Sequence, residues 1–458
     1  DVRLFGQQSN GVSYAIGLAE MLIKGQNADN FRHADTFKED CFHGTQMRFV
    51  LENPPFGTPW SGNAAKEGQE QAVNDEYAKG SNGRWGAGLP SGGDAQLIFI
   101  QSAIDKMDKD NGRAAIIENG SPLFTGGTAS GESQIRRWLL ENDLIEAIVQ
   151  MPTDLFYNTG ISTYVWILSK NKREERKGKI QLIDASGICH KLRKPLGNKK
   201  NEFSPEDRAK ITKLYADFQE NELVKIYDNE EFIYREYAVM QPLQRSYSIT
   251  DDSIQNMLQS GALKTLWDET KVAELEELGT TITGKDKKKL ESYYETKPVY
   301  DAILRALDMS KSDKKWLSPS EFEPELVKIF ADVAADKKLI DKIEDGLSVM
   351  DKSAQIQKDK KGNIIYDKTT KDSEIVKLDE TIEEYMEREV LPHVPDAQWF
   401  WEEDLTKKNP VIRTGAEIPF TRYFYKYEQP IPSKELEIKF TELERSVNER
   451  IDRLFGEV

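Results

Sequence analysis

Short apolar runs alternate with amphipathic segments from residue 1 to about residue 185, and this alternation most restricts the folds open to the chain. VRLFGQ near the N-terminus reads as a strand, and Tyr14, Leu18, Met21 and Leu22 then recur at helical spacing up to Gly25. MRFVLENPP is a second strand and AQLIFIQSAIDKM a helix. GRAAIIENGS, SQIRRWLLEND and LIEAIVQMP follow as strand, helix and strand, and STYVWILSKNK and KIQLIDAS close the region. Such alternation predicts an α/β fold with a mostly parallel sheet, covered by helices on both faces. Ligands of such sheets bind beyond the carboxyl ends of the strands. ENPPF (52–56) and ENGSPLF (118–124) both fall there. The polar, glycine-rich stretch 58–93 follows the first of them, and loops of that length are usually functional or disordered.

From about residue 203 the pattern changes. Ser204 reads as an N-cap with Pro205 at the first helical position, and 251–350 is charged and helical in pattern. The lysine run GKDKKKL (284–290) reads as a solvated helix end, with phosphate contact as the alternative. A hairpin is expected to turn near Gly362 and Asn363. Leu436, Phe440, Leu443, Val447 and Leu454 form a stripe at near-heptad spacing, open to packing on the chain's own domain or on a partner. The expected division is 1–190, 203–350 and 351–458.

Acidic residues outnumber basic ones, 79 to 63, in 458 residues, for a net charge of −16. Nucleic acid held across most of the surface would need clustered Lys and Arg, so any DNA contact is expected to be local or supplied by a basic partner. Cys41 and Cys189 give no disulfide framework and the four histidines no metal spacing, which suits a reducing cytoplasm. No run approaches a membrane span. DVRLFGQQ opens without a lead-in to its strand, so the chain is expected to be the later part of a longer protein.

The proline pair in ENPPFGTPW carries the chemistry. Two prolines fix φ and remove two donors, which makes the exit from the strand stiff. Methyl transfer to an exocyclic amine such as that of adenine must overcome delocalisation of the nitrogen lone pair into the ring. Rigid acceptors for both N–H bonds favour a tetrahedral nitrogen with its lone pair free. Asn53 supplies a carboxamide oxygen, Pro54 a carbonyl, Pro55 further stiffness, and Phe56 a ring to stack on a base flipped out of the duplex. An ordinary strand-to-loop stop is the simpler alternative for these residues taken alone.

Longer strings carry a resemblance. LFGQQSNGVSYAIGLAEMLIKG, HADTF, NPPFG, GRAAIIENGSPLFTGG, IRRWLLENDLIEAIVQMPTDLFYNTGISTYVWILSKNK and IQLIDAS occur in order, followed by EYMEREVLPHVPDAQW and EIPFTRYFYKYEQP. The chain thereby resembles the modification (DNA adenine-N6 methyltransferase) subunit of type I restriction–modification systems. The resemblance implies S-adenosylmethionine as methyl donor and a Rossmann-like methyltransferase sheet truncated at its N-terminal side, with a mainly helical C-terminal extension. It implies a specificity subunit, a restriction (motor and nuclease) subunit and double-stranded DNA as partners, with 351–458 docking the specificity subunit. By the same resemblance Asn53 to Phe56 are catalytic, Asp35 contacts the cofactor adenine, and Phe156 or Tyr157 walls the target-base pocket. Gln8 stands where the family has an acid that binds the cofactor ribose, and the family's glycine-rich cofactor motif has no counterpart in this chain. Two other readings remain open at this point: a cofactor-less scaffold of the same complex, and a methyltransferase acting on a protein glutamine.

Overall fold

The computed structural model describes residues 2–279, 282–404, 411–427 and 430–455. The chain divides into two units, one of residues 1–235, 377–379 and 414–458, the other of 236–376 and 380–413.

In the first unit the elements run β1 (Gly6–Gln8), α1 (Gly11–Ile23), β2 (Phe31–His33), β3 (Phe49–Glu52), α2 (Gln69–Tyr77) and α3 (Gln96–Lys106). They continue with β4 (Arg113–Glu118), α4 (Ser121–Phe124), α5 (Gly131–Glu141), β5 (Ile145–Gln150), β6 (Tyr164–Ser169) and β7 (Lys179–Asp184). The hairpin β8 (His190–Leu196) and β9 (Lys199–Glu202), then α6 (Pro205–Asp217) and β10 (Val224–Asp228), complete the series. Strands form within the later apolar runs, shorter than the runs, because polar flanks and prolines leave the ladder early. VRLFGQ is the exception, since only Gly6–Gln8 pairs with the three-residue β2 and residues 2–5 lie outside any strand. The parallel pair β1–β2 stands as a small sheet of its own.

The main sheet has the order β10-β7-β5-β6-β4-β3. It is mixed, which corrects the expectation of a mostly parallel sheet. Only β3–β4 and β5–β7 are parallel, while β6 runs antiparallel to both of its neighbours and β10 antiparallel to β7. The cause is the connection from β5 to β6: residues 151–163 contain no helix to carry the chain back over the sheet, and a parallel return needs such a crossover. Helices do cover both faces. Ala114 and Ile116 of β4 pack with Leu97, Ile100 and Ile104 of α3 and Ile135 and Leu139 of α5. Val149 and Ile183 pack on the other side with Ile211 and Leu214 of α6. That helix starts at a reciprocal cap between Ser204 and Asp207, and it belongs to this unit although it follows residue 203.

The insertion 58–93 is ordered. Trp60 and Trp85 are buried with Val73 of α2, Phe37 and Ile98, and each indole N–H has an acceptor: Ser91 O for Trp60 and Ser102 Oγ for Trp85. Two tryptophans give a glycine-rich loop enough apolar area to fold on.

The second unit holds helices Asp251–Gln259, Glu269–Glu277, Gly284–Met309, Pro319–Ile329 and Lys337–Gly346. They enclose Met257, Ile303, Leu307, Phe322 and Ile343. The lysine run forms the exposed first turns of the long helix. A bridge pairs Lys358 with Ile364 across a turn in which Gly362 takes φ +87°, the expected hairpin.

A buried charge cluster ties the main sheet to α6. Glu146 on β5 is 2% exposed and pairs with Arg113 Nη2 at 2.9 Å, with Arg176 Nε at 3.6 Å and with the Tyr215 hydroxyl. Arg176, also 2% exposed, lies over the Tyr215 ring and donates to Gln181 Oε1. Removing the carboxylate would leave two guanidinium groups facing each other with no counter-charge. Glu146→Ala is expected to lower the unfolding free energy by about 3–5 kcal/mol, read from urea denaturation. A loss below about 1 kcal/mol would show that the cluster does not hold α6 on the sheet.

Candidate active site

β3 ends at Glu52, and the next two peptide units are fixed by Pro54 and Pro55. Pro54 is buried, Asn53 is exposed and Phe56 is half-buried. Gly57 then turns the chain with φ +61°, and Thr58 O accepts from Ala95 N at 3.0 Å, pinning the loop to the start of α3. Among the described residues neither the Asn53 carboxamide nor the Pro54 carbonyl has a hydrogen-bond partner. Two acceptors on a stiff backbone stand unused beside an aromatic ring.

Strand β6 brings other loops to the same edge. Its first residue, Tyr164, pairs with Glu118 at the end of β4 and with Gln150 at the end of β5. The segments 53–58, 119–124 and 151–163 therefore all leave the sheet at the carboxyl end of its parallel strands. Asn119 Oδ1 accepts from Ser121 N at 2.8 Å and from Gln96 Nε2 at 3.0 Å, so the turn into α4 is held against α3. In the third segment Phe156 is half-buried and bridges to Thr159, while Tyr157 is 60% exposed.

Gln8 and Asp35 lie together at the ends of the β1–β2 pair, where Gln8 is in register with His33. Gln8 Oε1 accepts from Asn10 N at 2.9 Å, and its amide nitrogen has no partner among the described residues. Asp35 Oδ1 accepts from Phe37 N at 3.0 Å, which is a turn-capping role. Its Oδ2 meets Lys66 Nζ at 3.1 Å, and the same ammonium is 3.4 Å from Ser9 Oγ. Lys66 belongs to the insertion that begins just after Phe56, so one loop reaches from the proline pair to the ends of both small strands.

Residues 1–251 match the family model described as N-6 DNA methylase. The HindI type I restriction enzyme methylase subunit of Haemophilus influenzae is 29% identical over 46% of this chain and 43% of its own length. The MjaVIII type I restriction enzyme methylase subunit of Methanocaldococcus jannaschii is 30% identical over 52% of this chain and 40% of its own. The matches thus span less than half the length of these two relatives. Among solved structures, the type I restriction-modification system methyltransferase subunit of Streptococcus thermophilus is 26% identical over 50% of this chain and 45% of that one, with a TM-score of 0.43.

Two acids that the motifs alone do not single out sit directly behind the motif loops. Glu52 and Glu118 each end a strand and precede the asparagine that opens the next loop, and both share the face of Val50 and Ile116. Glu118 is fully buried, and neither of its carboxylate oxygens has a hydrogen-bond partner. Burial, reinforced by the charges of Asp94 and Glu52, pushes its carboxyl well above the usual range; burial alone pushes Glu52 up to about 7. The repeated Glu-Asn step at two strand ends was the available signal. Above the ordinary carboxylate range, up to about 7 for Glu52, a folded carboxyl with a raised pKa holds a proton that the unfolded chain has lost, so stability falls as pH rises through that window. Glu118→Gln is expected to melt above the parent at pH 8 and to lose most of that advantage at pH 5. Melting curves across this range decide it, and an advantage independent of pH would refute the buried acid.

Proposed function

This chain belongs to the N-6 DNA methylase family, and from that premise we propose that it methylates the N6 of adenine in DNA as the catalytic part of a type I restriction–modification methylase. The observation that carries the reading is the pair of unused acceptors, the Asn53 carboxamide oxygen and the Pro54 carbonyl, on a proline-fixed backbone beside Phe56. A flat amine seated there donates both N–H bonds, Phe56 stacks on its ring, and Phe156 and Tyr157 close the opposite wall. The acceptors are in place before the amine arrives, so no reorganisation opposes the change at nitrogen.

S-adenosylmethionine, when bound, supplies the electrophilic methyl group. Gln8 and Asp35 would hold its nucleoside part, a reading supported by their shared strand-pair end, by the Gln8 amide nitrogen having no partner among the described residues, and by the lone pairs that the Asp35 carboxylate keeps beyond those used by Phe37 N and Lys66. The outer edge of β3 is unpaired among the described residues, and its Phe49 and Leu51 are 64% and 81% exposed. The expected bounds 1–190, 203–350 and 351–458 do not follow the units of the fold, because α6 and β10 complete the main sheet and 414–424 returns to its core. In this scheme the first unit carries catalysis, the helices of 251–346 are a spacer and the helix Ser433–Phe455 docks the specificity subunit, with the restriction subunit joining the assembled complex. No described helix is long and apolar enough to cross a membrane, which accords with work on DNA in the cytoplasm.

Docking is assigned to the helix Ser433–Phe455. Leu436, Phe440, Leu443, Val447 and Leu454 are 46–78% exposed along it, and Ile451 extends the same stripe. A narrow apolar seam with charged flanks suits a helical partner.

In the intact protein Asn53→Ala is expected to slow methyl transfer by about 10²–10³ with folding unchanged, measured by tritium transfer to a cognate duplex. Near-parental rates would remove the clamp. Leu443→Asp with Val447→Asp is expected to abolish co-purification with the specificity subunit while leaving the melting temperature in place. Normal assembly, or unfolding, would assign the stripe to the chain's own core.

A further inference from the structure

The hairpin β8–β9 has no part in the scheme above. Its thirteen residues, 190–202, carry Lys191, Arg193, Lys194, Lys199 and Lys200 against the single acid Glu202, in a chain whose net charge is −16. We propose that this hairpin grips the sugar–phosphate backbone of DNA beside the target base, an inference that rests on the adenine-methylase reading.

Position is the first argument. The hairpin is fastened to the loop that carries Phe156 and Tyr157. Lys200 N and Asn201 N both donate to Asp154 O, at 2.9 and 3.1 Å, and Asn201 Nδ2 donates to Thr153 O at 2.8 Å. Asn198 N donates to Tyr157 O at 3.1 Å, and Lys199 Nζ stands 5.3 Å from the centre of the Tyr157 ring. Gly197 makes this approach possible. It holds φ +62° as the first residue of the two-residue turn between Leu196 and Lys199, and a Cβ there would come within 3.1 Å of Tyr157 O. Such a φ at the first turn position, with the second in the ordinary range, is a type II′ turn.

Presentation is the second. Antiparallel pairing lapses between Lys191 and Leu196, and the stretch between them holds Arg193 and Lys194, both exposed. Neither has an ion-pair or hydrogen-bond partner among the described residues. At the hairpin's base His190 Nδ1 contacts Asp207 Oδ2 at 2.6 Å, where Asp207 caps α6, so the cations project from a fixed mount.

Chemistry is the third. A nucleotide flipped into a pocket keeps its own two phosphates at the pocket mouth. Contacts to phosphate set register and orientation without reading sequence. Cations held on the pocket wall therefore lie where the extruded nucleotide's backbone must pass. An acidic chain with one basic hairpin there can position its substrate locally and leave sequence choice to another subunit.

The test uses the intact methylase, with duplex binding measured from low to moderate salt and methyl transfer measured in parallel. The variant is Lys191→Ala, Arg193→Ala, Lys194→Ala, and the control is Lys287→Ala, Lys288→Ala, Lys289→Ala, which removes equal charge from the long helix of the second unit. The hairpin variant is expected to weaken duplex binding at least tenfold and to reduce the slope of log K against log salt by about 1 for each phosphate no longer neutralised. Its KM for DNA should rise while kcat at saturating DNA and S-adenosylmethionine binding stay unchanged, and the control should behave as the parent. Unchanged slope and KM in an active enzyme would overturn the hairpin assignment and leave the methylase reading standing. Loss of assembly with a partner protein at unchanged slope would overturn it in favour of a protein-binding role. Hairpin-dependent duplex binding without methyl transfer would sustain the hairpin and defeat the methylase reading, and no duplex binding by the parent would defeat both.

Discussion

Everything at the candidate site depends on the antiparallel insertion of β6 between β4 and β5. A strand entering that slot must begin at the carboxyl end of its neighbours, and Tyr164 does so, paired with Glu118 on one side and Gln150 on the other. The loop before it is thereby delivered to the edge where β3 releases the proline pair. A parallel strand in the same slot would have sent Phe156 and Tyr157 to the opposite end of the sheet.

Below that edge the structure is held from a distance. Arg136 of α5 is fully buried, donating from Nε to Ala416 O at 2.7 Å and from Nη1 to Pro122 O at 3.1 Å; burial pushes its pKa down to about 10. One guanidinium thus joins the α4 turn to a segment nearly three hundred residues later. That returning segment also places Phe420 edge-on to the Tyr164 ring at 5.3 Å, and Ile418 N bonds to Leu123 O at 2.8 Å. EIPFTRYF in the late sequence thereby closes the core under the site.

Charge is distributed with the same economy. Desolvated acids gather behind the motif loops, at Glu52 and Glu118, where burial raises the pKa of both. Exposed cations gather in front, on the hairpin fastened to the Tyr157 loop. An overall charge of −16 therefore says little about the field at the site itself. A local basic surface is enough for the grip proposed, because the steep salt dependence of phosphate binding comes from the few cations that touch the backbone.

Much of this was legible in the sequence because it is local. Apolar runs bounded by turn residues marked the strand and helix positions, Ser204 with Pro205 marked the start of α6, and Gly362 with Asn363 marked a turn. The stiffness of NPPF is likewise a property of its own four residues. Strand direction was not local: whether β6 runs with or against its neighbours depends on the path of 151–163 through space, and apolar periodicity is the same either way. The insertion 58–93 read as a loop because Trp60, Val73 and Trp85 find Phe37 and Ile98 only in the folded chain. Glu118 could be read as an acid at a strand end, but only its burial in the folded chain removes its water and leaves its carboxylate oxygens without partners. The amino-acid order determines which groups are available. The long-range pairing of strands and the return of 414–420 decide which of them meet, because those interactions join residues that no local pattern relates.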